Sequence, residues 1–354
     1  MTTPIMTSPE TKTITAQCHC KSTRYTLTLP TSILPISIHP KFIRTGAGDT
    51  ATAPTTTRYF RDNFLGDRRF CTTCGCHIGD YVQSLDMWYI ATAPFPKGEE
   101  GVFLIDEHIF TRSAPAGLHD WLPRIGDRQL RITNPDDGSA EPQIPEAEFG
   151  DDGEQRLRCE CHCGGVSFTI RRPREEEIRR HGDGNGDGDE VTRECVSPAD
   201  PKRWKAVVDA CNDCRLVNGV HVSAWAYVPL EICEPTIGPD LQIGTSRTYA
   251  SSPGTLRSFC GVCGATIFYY QSGKEKQHAA SGCNGRGVVR ISVGIFRAPE
   301  GVRADSWLVW QTSEIGGLRD GRSYDKEYFE SLYDGLQSWG LQQYGGEIDW
   351  SISD

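Results

Sequence analysis

Arg257-Ser-Phe-Cys260-Gly-Val-Cys263-Gly264 has a twin earlier in the chain, Arg68-Arg-Phe-Cys71-Thr-Thr-Cys74-Gly75. Both C-x-x-C-G knuckles lead into β-type sequence, His77-Ile78 and Tyr81-Val82 after the first and Ala265 to Tyr270 after the second. Upstream of each stands a C-x-C pair, Cys18-His19-Cys20 and Cys161-His162-Cys163, followed by a strand-like run, Thr23 to Leu29 and Gly164 to Ile170. The gap between the pairs is 50 residues in the first copy and 96 in the second. The same order occurring twice points to a tandem duplication. Four thiolates from two distant pairs suit one closed tetrahedral zinc. The expected ligands are Cys18, Cys20, Cys71 and Cys74 in the first copy, and Cys161, Cys163, Cys260 and Cys263 in the second. The glycine after the last cysteine fits a knuckle whose backbone N–H groups turn toward sulfur. The plainer alternative is a set of buried free thiols with no shared partner.

Fifteen cysteines in 354 residues is a high count. The Thr- and Ser-rich stretch from Met1 to Gln17 has no apolar core and does not resemble a secretory signal. A cytoplasmic location is expected, with a nuclear one as the alternative. In either compartment clustered cysteines favour metal over disulfides. A net charge of −10 argues against a broad basic surface for nucleic acid. No apolar run approaches the roughly 20 residues of a membrane helix. Neither nucleic acid nor membrane is therefore an expected partner, and the oligomeric state is left open.

Taken in order, residues 1–12 are expected to be disordered and the first copy to span 13–132. Met87 to Ala91 and Glu107 to Phe110 are its later strands, and Asp120-Trp-Leu122 closes it. Residues 133–156, rich in Pro, Gly, Asp and Glu, read as an acidic linker. The second copy spans 157–354, with insertions at 171–201 and 272–287. The first insertion carries a Gly/Asp run from His181 to Glu190. That run resembles a calcium loop but lacks the flanking helices of an EF-hand and its terminal glutamate at the right offset, and so reads as a disordered surface loop. Val222 to Val228 and Val288 to Val293 are strands. Helical periodicity is confined mainly to Ser323–Asp334, which puts Tyr324, Tyr328, Phe329, Leu332 and Tyr333 on one side, with Gly335 as its cap. Many short strands and few helices make the fold mostly β, with a short C-terminal helix.

One stretch has no counterpart in the first copy: Asp209-Ala-Cys211-Asn-Asp-Cys214-Arg215. Its three potential ligands, Asp209, Cys211 and Cys214, leave a fourth position open, as a catalytic zinc requires. Asp209 has a second reading, a carboxylate that caps the turn holding Cys211. The cysteines have one as well, a redox-active or inert pair. The corresponding part of the first copy, Pro35 to Gly46, has no cysteine, and His39 alone cannot build a site. Among the remaining thiols, Cys76 and Cys159 read as spectators beside the metal pairs and Cys233 as packing. Cys195 and Cys283, in the insertions, read as exposed and oxidisable.

The set C-H-C-G-x-V, a middle C-x-x-C-R and a late F-C-x-x-C-G resembles the glutathione-dependent formaldehyde-activating enzyme family, which includes centromere protein V. The second copy carries all three segments, at Cys161 to Val166, Cys211 to Leu216 with Gly219, and Phe259 to Gly264. The first copy carries only the outer two. The resemblance implies two tandem β-tent domains, each a set of twisted antiparallel sheets pinned by a structural zinc. It implies a second zinc in the second copy, on Asp209, Cys211 and Cys214, with aspartate where the family most often has cysteine. It also implies carbon–sulfur lyase chemistry on S-hydroxymethylglutathione or another small thiol adduct. Cys211, Cys214 and Asp209 would be its catalytic residues, and Arg215 would be free to pair with a glutathione carboxylate. Arg215 also reads as a solvated surface residue. The competing function is a non-catalytic, zinc-stabilised binding module.

Overall fold

In Arg24–Pro30 every second side chain is apolar, and Tyr25 and Leu27 are buried where the polar residues between them are not. That strand pairs antiparallel with Thr11–Gln17 along its whole length and then with Lys41–Ile43. A computed structural model describes residues 11–30, 41–43, 56–59, 67–96, 103–134, 144–179, 190–271 and 287–350. A second sheet of the first repeat runs in order through Thr56–Tyr59, Asp67–Cys71, His77–Val82 and Met87–Ile90.

The second repeat repeats this plan on a larger scale. A four-stranded sheet contains Glu148–Phe149, Gln155–Glu160, Ser167–Arg171 and Cys233–Glu234. A seven-stranded sheet runs in the order Ser246–Ser252, Thr255–Cys260, Thr266–Gln271, Val288–Ser292, Ser223–Pro229, Trp204–Asp209 and Leu308–Trp310. The protein is mostly β, as its sequence implies. No described helix is long and apolar enough to cross a membrane.

The two repeats touch through reciprocal contacts. His19 shares a 2.8 Å hydrogen bond with the Tyr249 hydroxyl, and His162 shares one of 2.8 Å with Tyr59. These residues are equivalent in the two repeats. Both histidines lie inside a C-H-C, and strand register sets Tyr59 opposite Arg68 as it sets Tyr249 opposite Arg257. The Phe70 and Phe259 rings meet edge to face at 6.4 Å. Each ring also fills the space where the other repeat's knuckle glycine, Gly264 or Gly75, would carry a Cβ, at 2.6 Å. Both glycines have positive φ, +75° at Gly264 and +80° at Gly75, so a side chain there would meet both backbone strain and a clash. Reciprocity of this kind is what an isologous interface shows between two chains.

Several elements differ from their sequence reading. The C-terminal helix is Lys326–Tyr344, capped at its start by Asp325, whose side chain accepts from Tyr328 N–H, and at its end by Gly345. Gly335 lies inside it. A Cβ there would sit 1.7 Å from the Trp121 carbonyl oxygen, so the glycine permits close packing instead of ending the helix. Tyr328, Phe329, Leu332 and Leu336 form the buried stripe, and Tyr324 and Tyr333 pack partly buried beside it. Trp121, Leu122, Ile125 and Leu130, which the sequence places at the end of the first copy, pack in the core of the second. The Trp121 ring lies 4.8 Å from that of Trp310.

The first strand begins at Thr11, inside the stretch expected to be disordered. The acidic linker contributes Glu148–Phe149 to a sheet. Its Glu148 carboxylate pairs with Arg158, and Asp152 accepts from Arg156 at 2.9 Å. Its acidic residues thus serve as partners for buried and half-buried arginines. Helices Glu175–Arg179 and Glu190–Cys195 flank the Gly/Asp run, so the expected lack of flanking helices does not hold, while 180–189 lie outside the described residues. Cys195 is not exposed. It ends its helix inside the main core at 0% exposure. His39, Cys283 and 272–286 lie outside the described residues.

Candidate metal centres

Each C-x-C leaves one strand of a hairpin and turns back into the next, and each C-x-x-C lies in the tight turn between two others. Folding the hairpins together brings four sulfurs to one point. Cys18, Cys20, Cys71 and Cys74 form one such group and Cys161, Cys163, Cys260 and Cys263 the other, with all ligand atoms of a group within 4.8 Å. Sulfurs bound at about 2.3 Å around a tetrahedral zinc stand ~3.8 Å apart. The Cys18–Cys20 and Cys20–Cys71 sulfurs are 3.4 and 3.6 Å apart, and the Cys161–Cys163 and Cys163–Cys260 sulfurs are both 3.5 Å apart.

Backbone N–H groups point at the sulfurs as they would at thiolates: Thr23 to Cys18, Val166 to Cys161, and Val262 and Cys263 to Cys260. Hydrogen bonds from Cys18, Cys20 and Cys74 hold the Cys71 thiol far below its usual range, and Cys161 and Cys263 do the same for Cys260. Both clusters fit a metal site and are compatible with zinc. Cys76 and Cys159 are buried beside them and belong to neither group.

The middle stretch forms a third group. Strand Trp204–Asp209 ends at Asp209, and helix Asn212–Asn218 begins one turn later with Cys211 as its N-cap. The Cys211 sulfur accepts from Cys214 N–H at 3.3 Å. Asp209 Oδ1 accepts from Cys211 N–H at 2.8 Å, as a turn-capping carboxylate would. Its carboxylate also lies within 4.8 Å of both sulfurs. The two readings of Asp209 are therefore compatible, since one oxygen can hold the turn while the carboxylate remains within ligand range.

The Cys211 thiol is raised, first by its hydrogen bond with Cys214, then by burial and by the like charges of Cys214 and Asp209. Val207, Cys214 and Trp225, with Cys211, Tyr227 and Tyr269 beside them, form an apolar cluster separate from the main core.

Arg215 does not serve as an open fork. It is 7% exposed, donates to the Ala93 and Phe95 carbonyls of the first repeat and to Asn212 Oδ1, and stacks 4.1 Å from the Tyr324 ring. The reading of Arg215 as a substrate-pairing or solvated residue is thus replaced by one of structural attachment. The first repeat grips the site helix elsewhere too. His19 N–H donates to Leu216 O, and His19 Nε2 lies 3.4 Å from Asp213.

The arginine that faces the middle cysteines is Arg257, 4% exposed, whose Nη1 donates to Cys214 Sγ at 3.4 Å. Its signal was present in the sequence, three residues before Cys260 as Arg68 is before Cys71. In the first repeat that arginine faces Asp80 at 3.6 Å instead.

His221 precedes the strand Ser223–Pro229 and packs on Tyr324 and Tyr328. Burial lowers its pKa from 6.5 to about 4, and neighbouring Asp325 offsets this only partly while Arg215 adds to it. The unfolded chain therefore takes up the proton first, so stability falls as pH drops from about 6.5 towards 4 and is unaffected by this group above that window. In denaturant titrations at pH 7 and pH 4.5, His221→Phe is expected to remove about 2 kcal/mol of the acid-induced loss. An identical loss in wild type and variant would contradict this.

No family model matches the chain, and no curated protein matches it.

Proposed function

We propose that the protein is a zinc-dependent enzyme of carbon–sulfur lyase type, acting on glutathione–aldehyde adducts through a centre in its second repeat. In this reading the chain is a pair of β-tent domains. The first has lost its middle centre and kept its structural metal. The observation that carries the reading is the convergence of Asp209, Cys211 and Cys214 on one point with a fourth direction unfilled by any protein ligand among the described residues. Closed four-cysteine sites end at four ligands, and three ligands leave room for a substrate sulfur or oxygen.

Zinc held there would supply Lewis acidity toward a carbonyl oxygen and an anchor for a thiolate. The chain's own groups do the rest. Arg257 donates a hydrogen bond to the Cys214 sulfur and holds it from the sheet side. Asp209 fixes the turn that carries Cys211. Trp225 and Val207 close the inner side against water. In the forward direction a thiol adds to an aldehyde carbon, forming the C–S bond as the thiol proton passes to the carbonyl oxygen. The lyase direction reverses both changes.

Native mass spectrometry of protein prepared with zinc is expected to find three metals per chain. The Cys211→Ser/Cys214→Ser variant should keep two metals and lose glutathione binding. Two metals in the wild type, or full glutathione binding by the variant, would sink the proposal.

A further inference from the structure

Beside the middle centre, tyrosine and arginine alternate in a single row across five strands. Strand register sets Tyr249 opposite Arg257, Arg257 opposite Tyr269, Tyr269 opposite Arg290 and Arg290 opposite Tyr227. Directly opposed residues share a sheet face, so the five side chains line one face. The Arg257 guanidinium lies 4.3 Å from the Tyr269 ring, and Arg290 lies 4.5 Å from Tyr269 and 5.0 Å from Tyr227. The row touches the centre through its second member, Arg257, which donates to Cys214.

Among the described residues neither arginine has a carboxylate within ion-pair distance. Arg257 is engaged by Cys214 and Ser251, whereas Arg290 lies against the phenol groups of Tyr269 and Tyr227, with the Asp209 carboxylate acting on it from beyond ion-pair distance. Next to the row, packed on Tyr269, the Trp225 indole N–H is buried without a hydrogen-bond partner. The patch thus collects cations and donors, and the carboxylate that acts on Arg290, Asp209, belongs to the neighbouring centre and makes no ion pair with either arginine among the described residues.

We propose that this row is a carboxylate-binding subsite, with Arg290 as the residue that grips the carboxylate of a small-molecule substrate held at the neighbouring centre. The proposal deepens the enzymatic reading above and rests on it for that neighbour. Formal charge favours an anionic group. Two thiolates, the Asp209 carboxylate and a divalent ion together leave one negative charge, which Arg257 offsets. Arg290 remains, and one carboxylate group of a ligand balances it. Geometry agrees. A guanidinium flanked by tyrosine rings keeps N–H groups available at its edge, the orientation a planar carboxylate meets with two parallel bonds. The half-buried setting between rings limits competition from water, so the pairing is worth more than on an open surface.

The test uses the full-length, metal-loaded protein and three probes: succinate, glutathione and glutathione diethyl ester, each followed by calorimetry. Wild type should bind both acids and bind the ester more weakly. Arg290→Gln should weaken succinate and glutathione by roughly 10- to 100-fold, to the level of the ester, as expected for a lost charged hydrogen bond. Its metal content should match wild type. Arg290→Lys keeps the charge, loses the fork and should fall between them, which also covers the case in which the glutamine variant fails to fold. Succinate binding without any thiol binding would support the subsite and remove the enzymatic reading. Equal acid binding by wild type and Arg290→Gln, or no succinate binding by wild type at millimolar concentration, would overturn the proposal.

Discussion

Cys260→Ser is expected to leave the second repeat unfolded, seen as loss of cooperative thermal unfolding, rapid tryptic cleavage within 157–350 and the loss of at least one metal. Cys260 is fully buried, and its sulfur receives two backbone N–H groups and lies 3.1 Å from the Thr245 hydroxyl. Those donors are oriented for a thiolate bound to metal. Apparent binding free energies of structural zinc are about 10–16 kcal/mol, whereas whole domains are stable by about 5–15 kcal/mol. A site that loses one of four thiolates therefore removes free energy on the scale of the entire fold. Phe168, Phe268 and Trp204 form a substantial core, so residual collapse is expected, but without fixed packing. A variant with the wild-type melting temperature and metal count would show that the cluster is only a set of buried thiols.

Much of this arrangement was legible in the residues. A C-x-C and a C-x-x-C in the same order twice led to the two four-cysteine clusters, because sulfur spacing within each pair is set locally by the turn. Strand positions followed from alternation at Thr23 to Leu29 and from the β-branched run at Val288. Contacts set by long-range register were hidden. Arg215 reads as exposed in a polar heptapeptide, yet its partners are carbonyls at Ala93 and Phe95. Gly335 reads as a helix stop, and only the backbone of Trp121 explains it. Cys195 sits in a charged insertion whose end folds into the core. The Tyr–Arg row spans four strand pairings, so none of its members is adjacent in sequence.

Arg215→Met provides the sharpest test of how the first repeat acts on the centre in the second. The variant removes the charge and most of the donors but keeps much of the length and apolar stem. The Ala93 and Phe95 carbonyls then lose their donor, and Tyr324 loses the stacked cation. Unmet buried acceptors and a lost cation–π contact together should lower stability by about 2–4 kcal/mol, even after relief of the buried guanidinium's desolvation. The helix Asn212–Asn218 would remain tied to the first repeat by His19 at Leu216 and Asp213. The Cys214 sulfur on its first turn would then be less well fixed against Asp209 and Cys211.

Chelator competition should show the third metal bound roughly tenfold more weakly, the usual scale for loss of a supporting residue around a metal, with the metals of both four-cysteine clusters unchanged. The opposite pattern, unchanged stability with glutathione binding lost, would restore Arg215 to the ligand-pairing role suggested by its sequence motif. Burial and two carbonyl partners in the other repeat favour the first pattern. On that outcome the first repeat, which has no middle cysteines of its own, serves as the wall that holds the second repeat's site helix in place.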